Sequence, residues 1–356
     1  MKKFIIGLLV LTVLGGCGQT DKRGNEGTAN ACSTLKVYNW GVYIGPEVKN
    51  EFEEVYNVKV IYDEFPSNEA MYTKLAGGEA YDVLYPSDYM IERLIEENYL
   101  ESLNKEKLPN FKYLLPEVLN WEYDIDNVYS VPYFWGNVGL LYNKKKVSIS
   151  DLEAEGFNIM LNEKYSGKIF VYNSERDAFM MALKALNYSM NTTSQKEIDE
   201  AYQWLLKQKQ TMKPVYVEDD IIDNMVAGLK DIALMYSGDA AYVISENPDM
   251  DFFIPISGSN LWLDAMVIPA NSKCADLAYQ WINFQLDYST AQANSEHVGY
   301  SSTVENVYYQ MMGDDGEFED NPAYQVRIDN ENDEIFHYNA EIKKILSDLW
   351  TRVLAS

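Results

Sequence analysis

The feature that most restricts the fold of this chain is an alternation of short β-type runs and amphipathic helical stretches that occurs once, passes through a long extended segment, and then starts again. Leu35 to Trp40 reads as a strand, Pro46 opens a helix with Val48, Phe52 and Val55 on one face, and Val58 to Phe65 is the next strand. Ser67 caps a helix through Met71 and Leu75 that stops at Gly77-Gly78. Tyr81 to Pro86 is a third strand, Asp88 opens a helix carrying Ile91, Leu94 and Ile95, and Val128 to Tyr142 is extended. The order restarts with a strand at Lys168 to Tyr172 and a helix capped by Ser174 that aligns Phe179, Leu183 and Leu186. Ser194 and Glu197 have capping-box spacing for a helix through Leu206. Pro214 to Val217, Ile232 to Tyr236, Phe252 to Ile256 and Leu261 to Ile268 are further strands, followed by helices over Ala275 to Leu286 and Glu334 to Leu354. This βαβ order predicts an α/β fold with mainly parallel sheets flanked by helices. Two successive sets with a helical tail predict two lobes around a cleft, and ligands of such sheets sit beyond the carboxyl ends of the strands.

The first residues predict where the chain works. Lys2 and Lys3 precede an apolar run from Phe4 to Leu14, which fits a secretory leader and is too short to span a bilayer. The run ends in Leu14-Gly15-Gly16-Cys17, which resembles a bacterial lipobox. That motif implies removal of a signal peptide over 1–16, lipidation of Cys17, and attachment of the mature chain to the outer face of a membrane. The stretch 17–33 is rich in Gly, Asn, Thr and charge without apolar periodicity, as expected of a tether. Beyond it, 47% hydrophobic and 13% aromatic residues suffice for a full core. Cys32 and Cys274 can pair outside the cell, but their spacing fixes nothing, and no metal or cofactor motif is present in the sequence.

Charge narrows the partner class. The 55 acidic residues against 29 basic ones give a formal charge of -26, and nucleic acid is excluded because phosphate contacts need clustered Lys and Arg. Most of this acidity serves solubility, yet an acidic field also concentrates cationic solutes. At the strand ends the sequence places Trp40 and Tyr43, Ser87 and Tyr89, Tyr236-Ser237-Gly238-Asp239, and Trp262-Leu263-Asp264. Organic ammonium groups favour such a mixture. Each aromatic face attracts a cation by roughly 0.5–2 kcal/mol, carboxylates balance its charge, and methylenes pack between rings. With 28 Tyr and 13 Phe most rings must serve packing, so their recurrence at strand ends carries the inference.

The ordered set Tyr38-Asn39-Trp40, Ser67-Asn68-Glu69-x-Met71-Tyr72-x-Lys74-Leu75, Tyr81-Asp82-Val83, Pro86-Ser87-x-Tyr89 and Val131-Pro132-Tyr133-Phe134-Trp135-Gly136 resembles the spermidine/putrescine-binding proteins of bacterial ABC importers. Asn191-Thr192-Thr193, Trp262 through Asn271 and Gly299-Tyr300 continue the resemblance in order, over nearly the whole mature chain. It implies a hinge-connected two-lobed fold of the periplasmic-binding-protein type II, with lobe 1 from 34–139 plus 264–308 and lobe 2 from 140–263 plus 309–356. It also implies a non-enzymatic, monomeric receptor that hands a polyamine to a membrane permease. Carried over by position, Trp40, Tyr43, Ser87 and Tyr89 wall the slot from one lobe, and Tyr236 and Trp262 stack from the other. Asp264 takes a terminal ammonium, Asp177 is a second acid, Tyr300 is a phenol near the ligand, and His337 falls where the family carries Gln. Val42 stands where relatives carry an acid, and Ser174 where spermidine binders can carry Asp. Asp239 is either a compensating ligand acid or a helix cap.

Other classes lead to different expectations. A receptor for an amino acid needs an Arg clamp, for which Arg176 is the basic residue at hand, although an ion pair within its own helix is its simpler role. A receptor for another cationic amine fits the same residues. A carbohydrate-active enzyme needs paired acids such as Asp177 and Asp264 astride a glycosidic bond, and a signalling receptor would share the slot but not the permease.

Overall fold

The computed structural model describes residues 32–218 and 220–356. The expected leader, the lipidated Cys17 and the tether as far as Ala31 lie outside the described residues.

The first set of elements forms as the alternation predicts. Strand β1 (Thr34–Trp40) leads through α1 (Val48–Tyr56) to β2 (Lys59–Phe65), α2 (Asn68–Ala76), β3 (Val83–Leu84) and α3 (Asp88–Glu96). Helix α1 buries Val48 and Phe52, whereas Val55 in its last turn is 68% exposed, so only the first turns meet the core. The Ser67 hydroxyl accepts the Ala70 N–H at 3.2 Å, and the chain leaves α2 through Gly77 and Gly78, whose φ of 90° suits a residue without Cβ. The long extended segment is β4 (Ser130–Asn143), buried at every residue.

After α4 (Ile149–Glu155) the second set runs β5 (Ile169–Tyr172), α5 (Glu175–Ala185), α6 (Gln195–Met212), β6 (Val215–Val217), α7 (Ile221–Val226), β7 (Ile232–Tyr236), α8 (Ser237–Glu246) and β8 (Met250–Phe253). The chain then returns through β9 (Leu261–Val267), α9 (Ala275–Gln285), α10 (Tyr288–Val298), β10 (Ser301–Ser302) and α11 (Glu305–Met312), and it ends in α12 (Ala340–Ala355). The Ser174 hydroxyl caps α5 through the Asp177 N–H. The capping box at α6 does not form: Ser194 makes no side-chain cap, and Glu197 instead accepts the Thr192 hydroxyl.

The strands pair in the order β2-β1-β3-β9-β4-β7-β5-β6, with β10 and β8 also on β4. Parallel pairing holds inside β2-β1-β3 and β6-β5-β7, while β9 and β4 run antiparallel to their neighbours. Strand β4 joins the two halves. Ser130 to Asn137 pair with β9, and Val138 to Tyr142 pair with β7. Fully buried Asn137 sits at the switch, donating to the Arg327 carbonyl at 3.2 Å and accepting its N–H at 2.7 Å.

Two details correct the sequence reading. Helix α12 starts at Ala340, not Glu334, because the Asn339 side chain caps it through the N–H groups of Glu341 and Ile342, both at 3.1 Å. Glu334 is extended, bridged to Asn260, and its carboxylate takes the buried Lys184 ammonium. Cys32 and Cys274 form a disulfide with Cα atoms 5.7 Å apart, so the chain is fixed from Cys32 onward. No helix among the described residues is long and apolar enough to cross a membrane.

Candidate ligand-binding site

The turn into α3 is strapped along β9. The Pro86 carbonyl accepts the Ala265 N–H at 3.0 Å, Ser87 bridges to Asp264, and Asp88 Oδ2 accepts the Leu263 N–H at 3.3 Å. Asp264 is thereby held at the edge of the first half, 6% exposed, with the Tyr43 hydroxyl donating to it at 2.7 Å and the Ser87 side chain also hydrogen-bonded to it. Buried Asn68 in α2 donates to Ser87 Oγ at 3.1 Å and to the Tyr89 hydroxyl at 3.0 Å. The Arg176 guanidinium covers the Tyr89 ring at 3.5 Å and pairs with Glu69 at 3.3 Å. Its ionic partner thus comes from α2, not from its own helix.

The second half repeats the logic with its own strand ends. Tyr172 ends β5, Asp177 lies in the first turn of α5, Tyr236 ends β7, and Asp239 lies in the first turn of α8. The Tyr236 hydroxyl donates to Asp177 at 2.7 Å. Asp239 accepts two phenols, Tyr172 and, at 2.9 Å, Tyr300. The rings form a chain: Tyr43 meets Tyr300 at 5.3 Å, Tyr300 meets Trp262 at 5.3 Å, Trp262 meets Tyr236 at 6.3 Å, and Tyr236 meets Tyr172 at 5.1 Å. Two glycines make room for this packing. A Cβ on Gly238 would stand 1.5 Å from the Tyr300 ring, and one on Gly136 would stand 2.7 Å from that of Trp262.

Burial controls the electrostatics. It pushes Asp264 up to about 6 against the opposing hydrogen bonds of Ser87 and Tyr43, and it raises Asp177. Burial also lifts Asp88 to about 8, with its two backbone N–H donors opposing and Asp264 adding to the rise. The phenols of Tyr43, Tyr172, Tyr236 and Tyr300 are held well above their ordinary range by burial and by the neighbouring carboxylates, so they stay protonated donors. Among the described residues, the Trp262 indole N–H and the Tyr123 hydroxyl are buried without a partner. A cluster of acids desolvated in this way favours a cation with apolar flanks.

Of the residues expected from sequence, Tyr43, Ser87, Tyr89, Asp177, Tyr236, Asp239, Trp262, Asp264 and Tyr300 join this network. Trp40 packs on Phe65 at 4.6 Å and donates its indole N–H to the Tyr85 carbonyl at 2.9 Å. His337 has its nitrogens on Glu92 at 3.3 Å and Glu122 at 2.9 Å. Asp239 is not a cap, because the N-cap position of α8 is Tyr236. Val42 is 72% exposed with φ of 50°. Sequence reasoning missed Tyr172, although it ends a strand as Tyr236 does. It read Asp88 only as a helix opener, and Tyr123 carried no signal.

The model of the family described as bacterial extracellular solute-binding protein matches residues 47–326. The chain is 33% identical over 270 residues to the spermidine/putrescine-binding periplasmic protein of Escherichia coli (strain K12), covering 75% of this chain and 77% of that protein. Among solved structures it is similar to the spermidine/putrescine ABC transporter substrate-binding protein PotD of Streptococcus pneumoniae, with a TM-score of 0.77, 32% identity, and coverage of 91% and 99%. The TpPotD lipoprotein of Treponema pallidum superposes with a TM-score of 0.77 at 25% identity over 90% of this chain and 99% of that one. With the doubled α/β architecture, the strand-end site and a family match over most of its length, the chain belongs to the bacterial extracellular solute-binding proteins.

Proposed function

We propose that this protein is the polyamine receptor of an ABC importer, closing its two lobes on spermidine or putrescine and delivering the ligand to a membrane permease. The observation that carries this reading is the set of buried carboxylates, Asp264 and Asp177 foremost, each tied to a phenol and joined by a chain of rings. Terminal ammonium groups pair with the acids, and the methylene chain packs on Tyr300, Trp262 and Tyr236. Lobe 1 comprises 34–139 plus 264–308 and lobe 2 comprises 140–263 plus 309–356. Ligand contacts made only when the lobes meet supply the energy of closure. Micromolar affinity corresponds to about 8 kcal/mol, within reach of a few charge-assisted hydrogen bonds and ring contacts.

The curated relatives and solved neighbours named for spermidine and putrescine support the ligand class. An amino-acid ligand finds less support, since the Arg176 guanidinium is engaged by Glu69 and the Tyr89 ring. We place the mature protein as a monomer outside the cytoplasm, anchored through lipid on Cys17, a reading supported by the lipobox-like Leu14-Gly15-Gly16-Cys17 and by the neighbour named a lipoprotein. The site acts by binding, without turnover. Calorimetric titration with putrescine, cadaverine, spermidine, spermine and glutamate tests the assignment. Saturable heat from at least one polyamine and none from glutamate is expected. Binding of glutamate alone would refute it.

A further inference from the structure

Asp88 is a buried acid that the slot described above leaves without a role. It is the first residue of α3 and 1% exposed, with Oδ1 accepting the Tyr89 N–H at 2.7 Å and Oδ2 the Leu263 N–H at 3.3 Å. Leu263 lies between Trp262 and Asp264, and the flanking contacts from Pro86 and Ser87 run along the same strand. Asp88 and Asp264 thus lie buried on laced segments, and the charge of Asp264 acts on Asp88. The groups facing them from each packed element are Arg176 of α5, Tyr123 ahead of β4, Tyr43 after β1 and Tyr300 after α10. Arg176 is the cation among them, and it already serves Glu69. The Tyr123 hydroxyl, 7% exposed, has no partner among the described residues. Two anions so placed repel each other and lack a free counter-ion, so one proton on the pair relieves both costs.

We propose that Asp88 and Asp264 act as one unit that holds a proton while the slot is empty and releases it to bulk water when an amine cation enters, so that ligand capture is coupled to proton release. Asp264 meets the ammonium, and Asp88 is a positioning residue that sets the charge of Asp264. Burial raises both carboxyls, which agrees with the geometry. Affinity then rises with pH, by about tenfold per pH unit for one proton exchanged, until the pair is ionised.

The inference rests on the amine reading of the slot, and one experiment separates the two. Putrescine keeps both its ammonium protons near neutral pH, as Lys with a pKa of about 10.4 does, so any proton released comes from the protein. Binding enthalpies of the purified protein with putrescine at pH 7, measured in phosphate, HEPES and Tris, give the number released per ligand. The wild type is expected to release about half to one proton, and Asp88→Asn less than half of that, with a flatter dependence of Kd on pH. A wild-type count indistinguishable from zero overturns the proposal, and so does an equal count in Asp88→Asn. If that variant fails to fold, the wild-type pH series decides: a Kd that improves by less than about twofold from pH 6 to 7.5 is a refutation. Absence of binding by putrescine and by spermidine alike, even at pH 8.5, sinks the amine reading itself, whereas binding without proton release sinks the coupling alone.

Discussion

Replacing Asp264 with Asn preserves the side-chain shape and removes its charge, and the structure assigns opposite signs to the effects on stability and on binding. Asp264 is 6% exposed, and burial lifts its carboxyl to about 6. An unperturbed Asp titrates near 3.9, so the shift of about two units corresponds to about 3 kcal/mol. Because the folded pKa is raised, the cost is absent below about pH 4, where the carboxyl is protonated in both states. It grows as the pH rises through the unfolded value and is fully present above about pH 6. That shift already includes the opposing hydrogen bonds from Ser87 and Tyr43. Asp264→Asn is therefore expected to match the wild type at pH 4 and to be more stable by about 3 kcal/mol at pH 7.5 without ligand. With ligand the sign reverses. An ammonium buried without its partner loses about 2–5 kcal/mol, a weakening of about 30-fold to several thousand-fold in Kd. Urea denaturation at the two pH values and calorimetry with spermidine measure both halves. A Kd within about threefold of wild type, or a variant less stable at pH 7.5 than at pH 4 relative to wild type, would show that Asp264 serves only as an acceptor for Tyr43 and Ser87.

Three further outcomes follow from the same geometry. Gly238→Ala places a Cβ inside the Tyr300 ring, so the ring must leave Asp239; a melting curve should show a loss of about 1–3 kcal/mol with at least tenfold weaker polyamine binding, and unchanged binding would remove Tyr300 from the slot. Opening the Cys32–Cys274 disulfide frees a loop spanning 242 positions. Chain entropy alone puts its contribution at about 5 kcal/mol, so reductant should lower the melting temperature clearly, and an unmoved transition contradicts this. Cys17→Ser should release the protein from membranes while leaving polyamine affinity intact, checked by fractionation and titration; a variant that stays bound through salt washes disproves the lipid anchor.

What could be read from sequence and what could not divides along physical lines. The alternation of elements, the Ser67 and Ser174 caps and the acids at strand ends are local signals, written within a few residues of where they act. The pairing of Cys32 with Cys274 and the strap from Asp88 to Leu263 join segments more than a hundred residues apart, and neither has a periodic signature. The same holds for Arg176, whose nearest local reading was an ion pair in its own helix and whose partner is Glu69 of α2. The start of α12 was misread because the apolar pattern extends upstream, while burial of Lys184 demands Glu334 as an extended counter-ion and leaves Asn339 to cap the helix. His337 carries an imidazole where the resemblance implies an amide, and its ring meets the carboxylates of Glu92 and Glu122.

On the proposed receptor reading, the distribution of charge between the lobes gives a reason for closure to need a ligand. By the proposed boundaries lobe 1 brings Asp88 and Asp264 to the slot, and lobe 2 brings Asp177 and Asp239. Contacts across the rim favour the closed arrangement: Arg176 reaches Glu69, and His337 reaches Glu92 and Glu122. Such partly exposed pairs contribute about 0–1 kcal/mol each. The desolvated carboxylates that the two lobes bring together oppose it. Phenol donors from Tyr43, Tyr236, Tyr172 and Tyr300 soften this cost without cancelling the charge. On that reading the carboxylates weigh against closing without a counter-charge. A diamine reverses this by supplying two positive charges where the acids converge and a methylene chain where the rings converge, so that the ligand, through the contacts it makes only in the closed state, decides when the lobes meet.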